Sequence, residues 1–237
     1  MSCLPDASTL NAVRRFVKMR FLLKTQGMLL GLILFISLIH VLQVLLGVGW
    51  YFKYMAVPGA ITDAWNGMLG GDFSRNNLTQ MFSLVSATFL HGDSGHLAGN
   101  MLPLWIFGAI AAELLGYRWM LFVFLFTGIC GSICHTALNH DQYIPSLGAS
   151  GAVMGFEGLY LAMAVRWHLP DPHVWPIARP VPPIRLAMLG ILALMFDFSN
   201  YMSGLEGIAY GAHLGGFISG IFLGSFVVPM PRVALPR

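Results

Sequence analysis

Six long apolar stretches constrain the fold of this chain more than any other feature. Each has close to the roughly 20 residues that an apolar helix needs to cross the hydrocarbon core of a bilayer. Charged residues make up 10% of the sequence, whereas a soluble domain carries about 25%. The sequence therefore predicts an all-α, polytopic membrane protein with six transmembrane helices. The predicted spans are Gly27–Gly49, Leu97–Leu115, Trp119–Leu138, Leu147–Val165, Leu186–Met202 and Gly207–Val228.

The basic residues indicate how these spans are oriented. If the N-terminus is inside, all 13 basic residues lie in inner segments except Lys53 and Arg75. Cytoplasmic segments of membrane proteins carry such an excess of Lys and Arg. We therefore expect both termini in the cytoplasm. Because neither a further span nor a large soluble domain is visible, the expected location is a prokaryotic inner membrane.

The chain divides into one membrane domain and two short flanking segments. Residues 1–26 form a basic segment that is predicted to be cytoplasmic, and its residues 10–25 fit either a short helix on the membrane surface or a disordered tail. Residues 27–229 form the membrane domain, and residues 230–237 form a short cytoplasmic tail. The first outer loop, about residues 50–96, is long and rich in apolar side chains. We expect this loop to dip into the outer leaflet and to pack on the bundle.

Polar residues of three different spans are predicted to share one layer near the outer surface. Asn100, Ser150 and His213 lie about 5–10 Å below that surface at a rise of about 1.5 Å per residue. His91 and His96 come just before the second span, on the same side. A polar side chain within a membrane is costly unless it is paired or hydrated. The shared depth therefore favours a common water-filled cavity.

Two rows of glycines predict where two of these spans touch. Small residues at helical spacing let two membrane helices pack backbone to backbone. Close packing of the fourth and sixth spans would bring the Ser150 hydroxyl within hydrogen-bonding reach of the His213 imidazole. Packing alone is also a sufficient reason for the glycines. The rows are Gly151, Gly155 and Gly158 in the fourth span, and Gly216, Gly220 and Gly224 in the sixth.

Ser150 and His213 together suggest nucleophilic chemistry. A hydroxyl becomes a useful nucleophile when a neighbouring base takes its proton. The negative oxygen that forms on attack needs hydrogen-bond donors placed in advance, for which His96 and Asn100 are candidates. Each residue also has a plainer interpretation. Ser150 could bond the backbone of its own helix, and His213 could bridge two helices.

Three motifs, in this order and on these spans, resemble those of the rhomboid intramembrane serine proteases. Each motif alone is a weak signal, whereas the combination is specific. The resemblance covers roughly residues 80–228. The motifs are His91, His96 and Asn100; Gly148-Ala149-Ser150-Gly151; and Ala212-His213 followed by Gly216 and Gly220.

The resemblance implies a role for each position of the motifs. Ser150 would be the nucleophile, and His213 would be the general base and then the general acid. His96, Asn100 and the backbone N–H of Ser150 would hold the oxyanion, while His91 would support the loop. Gly148 and Gly151 would flank the nucleophile.

The sequence departs from the family pattern at several positions. Met154 stands where several relatives have a tyrosine stacked on the histidine, and a thioether can still pack against an imidazole. Phe82 and Ser83 replace a Trp-Arg pair of the outer loop. No acidic residue completes a triad: Glu157 is predicted to bridge helices. Glu113 is predicted to bond a loop or to be solvated.

The predicted function is hydrolysis of peptide bonds in or near transmembrane segments, through a Ser-His dyad and an acyl-enzyme. The expected partners are single-span membrane proteins and lipids, with no nucleic acid, because the basic residues fall in short clusters between apolar runs. No metal or organic cofactor is required. Nothing in the sequence assigns an oligomeric state.

Three other functions fit parts of the sequence. A rhomboid-like protein without protease activity would hold transmembrane clients, but such proteins usually lack the serine or the histidine. His91, His96 and His213 could bind zinc, although no paired His-Glu metalloprotease motif is present. A channel or transporter would need polar residues across the whole bilayer, whereas the polar layer here ends in the outer third.

Overall fold

The computed structural model describes residues 7–170, 183–203 and 209–236, and this part of the chain is mostly helical. A 3-10 turn follows α2 and another follows α4, a π-helical turn (Leu223–Val227) follows α9, and two short strands form one antiparallel pair. The elements are α1 (Ala7–Leu46), α2 (Val48–Tyr51), α3 (Pro58–Leu69), α4 (Arg75–Ser86), α5 (Ser94–Leu115), α6 (Tyr117–Leu138), α7 (Ser150–Arg166), β1 (Trp167–His168), α8 (Pro183–Met202), α9 (Tyr210–Phe222) and β2 (Leu235–Pro236).

Four helical segments of the described chain are long and apolar enough to cross a membrane. They are Gln26–Leu46 of α1, all of α5, all of α6, and Tyr210–Val227. With 17 residues, α7 is at the short end of the range that can cross a bilayer core. The prediction of a helical membrane protein is thus confirmed, while the count of six spans stays a prediction.

The first helix does not break where the sequence suggested a boundary. It runs without interruption from Ala7 to Leu46. Residues 10–25 therefore belong to the same helix as the apolar segment Gln26–Leu46, rather than to a separate helix. The boundary predicted at residue 26 falls inside α1.

The first outer loop is folded rather than irregular. It contains α2, α3 and α4, and a small core forms around Ala56, Ile61 and Ala87, with Met81 and Leu84 packed against it. Ala56 and Ser146 form a bridge in which each N–H donates to the other carbonyl, at 3.0 and 2.7 Å. The loop is thereby fixed to the segment that precedes α7. Its insertion into the leaflet stays a prediction.

The helix α7 is the centre of the bundle. Every residue from Gly151 to Tyr160 is buried. A helix that is apolar on all sides is expected to be enclosed by other helices. The main core lies around it and includes the fully buried side chains of Leu104, Phe124 and Phe156.

Glycines bring α9 against α7, as the sequence predicted. A Cβ placed on Gly216 would overlap the carbonyl oxygen of Gly151, and one on Gly220 would overlap the carbonyl oxygen of Gly155. A Cβ on Gly158 would likewise overlap the carbonyl of Phe217. The two helices therefore pack backbone to backbone, a distance that only glycine permits at these positions.

The two short strands join the C-terminal end of α7 to the chain that follows α9. Trp167 and His168 pair with Pro236 and Leu235, so the segment predicted as a short tail is attached to the end of α7. The guanidinium of Arg166 lies 4.4 Å above the ring of Trp167. Ser150 lies at the other end of this helix, at the start of α7.

Candidate active site

The segment before α7 is shaped by Gly148. Its φ is +131°, a value that side chains disfavour, and its N–H donates to the carbonyl of Ala87 at 2.9 Å. A Cβ at this position would lie 2.8 Å from two ring atoms of His96. The helix therefore begins only at Ser150, which is half-buried and is its first residue rather than the fourth. The first N–H groups of a helix have no acceptor within the helix.

His91 is fully buried beside this helix start. Its Nε2 accepts a hydrogen bond from the N–H of Ala149 at 3.5 Å, and its ring meets the ring of His96 edge to face, with centroids 5.2 Å apart. The pKa of His91 is lowered to about 3, chiefly by burial and in addition by the neighbouring His96 and His40. His91 is therefore neutral at physiological pH and able to accept the hydrogen bond that holds Ala149 in place.

The first turns of α5 carry both predicted oxyanion donors. Asp93 caps the helix by accepting from the N–H of His96 at 2.9 Å, which lowers the pKa of Asp93. Asn100 is buried, and its Nδ2 donates to the carbonyl of His96 at 3.0 Å. A Cβ on Gly148 would be 3.8 Å from that nitrogen. His96 and Asn100 therefore both border the segment that leads into Ser150.

His213 is the fourth residue of α9 and is half-buried. A Cβ on Gly151 would lie 3.1 Å from the carbonyl oxygen of Ala212. Because Ser150 precedes Gly151 and His213 follows Ala212, the serine and the histidine flank one of the close contacts between the two helices. His213 also lies within electrostatic range of His96.

Three further residues that the sequence singled out lie on α5 and α7. Met154 is buried on α7, one turn after Ser150, and its contact with His213 stays a prediction. Buried Glu157 faces α8, since a Cβ on Gly190 would lie 3.1 Å from its Oε2. Glu113 accepts a hydrogen bond from Nε2 of Gln26 at 2.8 Å, so it joins α5 to α1 rather than to a loop.

No three histidine, cysteine or acidic residues in the described ranges are grouped so that they could hold a metal ion. This geometry argues against the zinc alternative, which needs His91, His96 and His213 around one point.

Sequence reasoning missed two residues of α1. The Oε1 of Gln43 accepts from the N–H of His91 at 3.0 Å, and its Nε2 donates to the carbonyl of His91 at 3.2 Å. His40 lies 3.3 Å from the hydroxyl of Ser94. Both are buried polar residues near the outer end of an apolar run, which is the signal that could have found them.

Comparison with known proteins gives the family. A model of the rhomboid domain matches residues 78–230. The chain belongs to the rhomboid family. The match includes the three motifs and most of α4, and it ends after the π-helical turn that follows α9.

Individual rhomboid relatives are similar to more than half of the chain. Rhomboid-like protein 11, chloroplastic, of Arabidopsis thaliana is 26% identical over 172 residues, 68% of this chain and 58% of the relative. Rhomboid protein 1, mitochondrial, of Saccharomyces cerevisiae is 28% identical over 158 residues, 65% and 44% of the two chains. The presenilin-associated rhomboid-like protein, mitochondrial, of Mus musculus is 31% identical over 145 residues, 59% and 36%.

The chain thus spans between about a third and somewhat over half of the length of these rhomboid relatives. Their names place them in mitochondria or chloroplasts. They give no support to the predicted prokaryotic inner membrane, which rests on the sequence alone. The membrane character of the chain itself is supported by its four apolar helical segments and by its family.

Proposed function

We propose that this rhomboid protein is an intramembrane serine endopeptidase with a Ser150–His213 dyad. The observation that carries the proposal is the close approach of Gly151 to the Ala212 carbonyl, because Ser150 and His213 are the chain neighbours of these two residues. His96 and Asn100 border the same junction from α5. Family membership supports protease chemistry as a class.

The proposed reaction has two halves. In the first, Oγ of Ser150 attacks the scissile carbonyl carbon while His213 takes the hydroxyl proton. The tetrahedral intermediate then collapses, and the C–N bond breaks as His213 returns the proton to the leaving amine. In the second half, water attacks the ester carbonyl with His213 as base, and the proton passes to the Ser150 oxygen as the acid product leaves.

The oxyanion of both halves needs donors that are fixed before the reaction. The side chains of His96 and Asn100 and the N–H of Ser150 are proposed for this role. Asn100 is held by its bond to the His96 carbonyl, and His96 by the ring of His91. Removal of one such donor lowers kcat by about 100- to 1000-fold in other serine proteases.

The proposed substrates are single-span membrane proteins, reached through the surrounding lipid. Six spans with both termini inside would place the site near the outer face. A substrate helix must unwind there, and helix-breaking residues near its outer end make its backbone groups less costly to expose. The four described apolar segments support a membrane location, and the concentration of basic residues in alternate segments between the predicted spans supports this orientation.

A cleavage assay tests the proposal. The full chain in detergent or liposomes is incubated with a single-span substrate, and product is measured over time. We expect Ser150→Ala and His213→Ala to lose activity by about 1000-fold or more. Ser37→Ala and His168→Gln serve as matched controls, because Ser37 bonds its own helix and His168 lies in β1. Binding of the substrate without Ser150-dependent cleavage would instead favour the client-binding function.

A further inference from the structure

The side chain of Gln43 is paired with the main chain of a residue 48 positions away. Its amide oxygen accepts from the N–H of His91 and its amide nitrogen donates to the carbonyl of the same residue. Gln43 is 4% exposed, so these bonds are shielded from water. Among the neutral side chains, only Asn and Gln offer an amide with a donor and an acceptor side by side, and of these only Gln has this length.

From His91 the contacts continue to the proposed nucleophile. The ring of His91 accepts from the N–H of Ala149, which precedes Ser150, and its edge rests against His96. A single residue, His91, therefore connects the side chain of Gln43 in α1 to the start of α7. The same residue also touches one of the proposed oxyanion donors.

A second contact of α1 fixes the other end of this segment. His40 lies one helical turn before Gln43 and is at hydrogen-bonding distance from Ser94, the first residue of α5. Residues 91–94 are thus attached to α1 at both ends. His96 and Asn100 follow in the first two turns of α5, so their positions depend on where this segment is held.

We propose that Gln43 is a positioning residue of the active site: through the main chain of His91 it holds the start of α7 and the oxyanion donors at reacting distance. This inference rests on the proposed function. Its physical basis is the sensitivity of catalysis to geometry, since a displacement of about 1 Å at the reacting groups can lower a rate by about 100-fold. Gln43 itself touches neither the substrate nor the reacting atoms.

The test compares two glutamines of the same helix. Gln43→Met keeps the length of the side chain but removes both hydrogen bonds. Gln26→Met is the matched control, because Gln26 is also buried and bonds α5, but at the opposite end of the apolar segment Gln26–Leu46 of α1. Cleavage kinetics, the rate of labelling by a fluorophosphonate and the melting temperature are measured for the wild type, both variants and Ser150→Ala.

We expect Gln43→Met to lower kcat and the labelling rate by about 10- to 100-fold with KM within about twofold. We expect Gln26→Met and Gln43→Met to lower the melting temperature by similar amounts, while the kcat of Gln26→Met stays within about twofold of the wild type. Equal kinetics of the two methionine variants would overturn the positioning role while leaving the proposed function intact. A wild type that cleaves no faster than Ser150→Ala would overturn both.

Gln43→Glu provides a variant that keeps the shape and the acceptor for the His91 N–H. Its ionised second oxygen would face the His91 carbonyl, and protonation would restore a donor there. The ratio of variant to wild-type kcat should therefore rise several-fold as the pH is lowered. The titratable groups around the His91 segment are His40, His91, Asp93 and His96, and the wild-type pH profile is therefore measured in parallel. A ratio that does not change with pH contradicts the proposal. This test remains available if Gln43→Met fails to fold.

Discussion

The interface between α7 and α9 and the interface between α1 and α5 are built in opposite ways. In the first, glycines of one helix lie on backbone carbonyls of the other, as Gly216 does on Gly151. In the second, buried polar side chains of α1 make the connection at both ends, through the Gln26 bond to Glu113 and the His40 contact with Ser94.

The difference reflects what each interface has to do. In the proposed mechanism, α7 and α9 have to bring Ser150 within hydrogen-bonding distance of His213, and glycines let the two helix backbones approach closely enough. The pair α1 and α5 has no such requirement, but it must set the position of the segment that carries His91. Hydrogen bonds are directional, so they specify a position that apolar contact alone would leave free.

The largest effect on stability should come from adding one methyl group to the glycine interface. Gly216→Ala would place a Cβ on the Gly151 carbonyl, and α9 would have to move. We expect a loss of about 1–3 kcal/mol of unfolding free energy, with loss of cleavage, measured by denaturation in detergent and by the substrate assay. Gly31→Ala is the control, because no atom lies within 4 Å of its Cβ position. Equal stability of the two variants would refute the backbone contact.

An intermediate effect on stability should come from lowering the pH, which acts on His91, the residue bonded by Gln43 of α1. The pKa of His91 is lowered to about 3 in the folded protein and is about 6.5 when unfolded. Between these values the unfolded chain binds a proton that the folded chain does not, so stability falls as the pH is lowered from about 6.5. Lowering the pH from about 6.5 to about 5.5 should therefore cost about 1 kcal/mol of unfolding free energy, and the slope approaches about 1.4 kcal/mol per pH unit for one proton. His91→Gln should show a slope shallower by about one proton, and an unchanged slope would contradict the buried neutral ring.

The smallest effect should come from the inner end of the polar interface. A double-mutant cycle of Gln26→Ala and Glu113→Ala measures the coupling across the bond between Nε2 and Oε1. Hydrogen bonds between membrane helices average about 0.6 kcal/mol in such cycles, and we expect a value of that size. Cleavage by these variants should stay near the wild-type rate. A coupling free energy larger than the loss of unfolding free energy in Gly216→Ala would contradict this ranking of the two interfaces.

The sequence predicted which helices meet better than it predicted where they end. The three motifs and the glycine rows indicated which spans meet, because polar and small residues in a membrane segment are rare enough to be informative. Apolar runs, however, give only approximate boundaries. Ser150 begins α7 because Gly148 has a positive φ and donates to Ala87, a contact 61 residues away along the chain.

The start of α5 was missed for a local reason. Its first turn is polar and capped by Asp93, so a search for apolar residues begins at Leu97, three residues late. Asn100 is consequently the seventh residue of its helix rather than the fourth. The Asp-Ser-Gly-His sequence was a readable capping signal. The role of Gln43 could not be predicted in the same way, because its partner is a main-chain group that no sequence pattern identifies.

The most direct test of the central claim is the location of a covalent adduct. A fluorophosphonate reacts with a serine only when a base activates the hydroxyl, and mass spectrometry of the labelled chain identifies the residue. We expect an adduct on Ser150 in the wild type and none in His213→Ala. Labelling of a different residue, or equal labelling of Ser150 when His213 is absent, would contradict it.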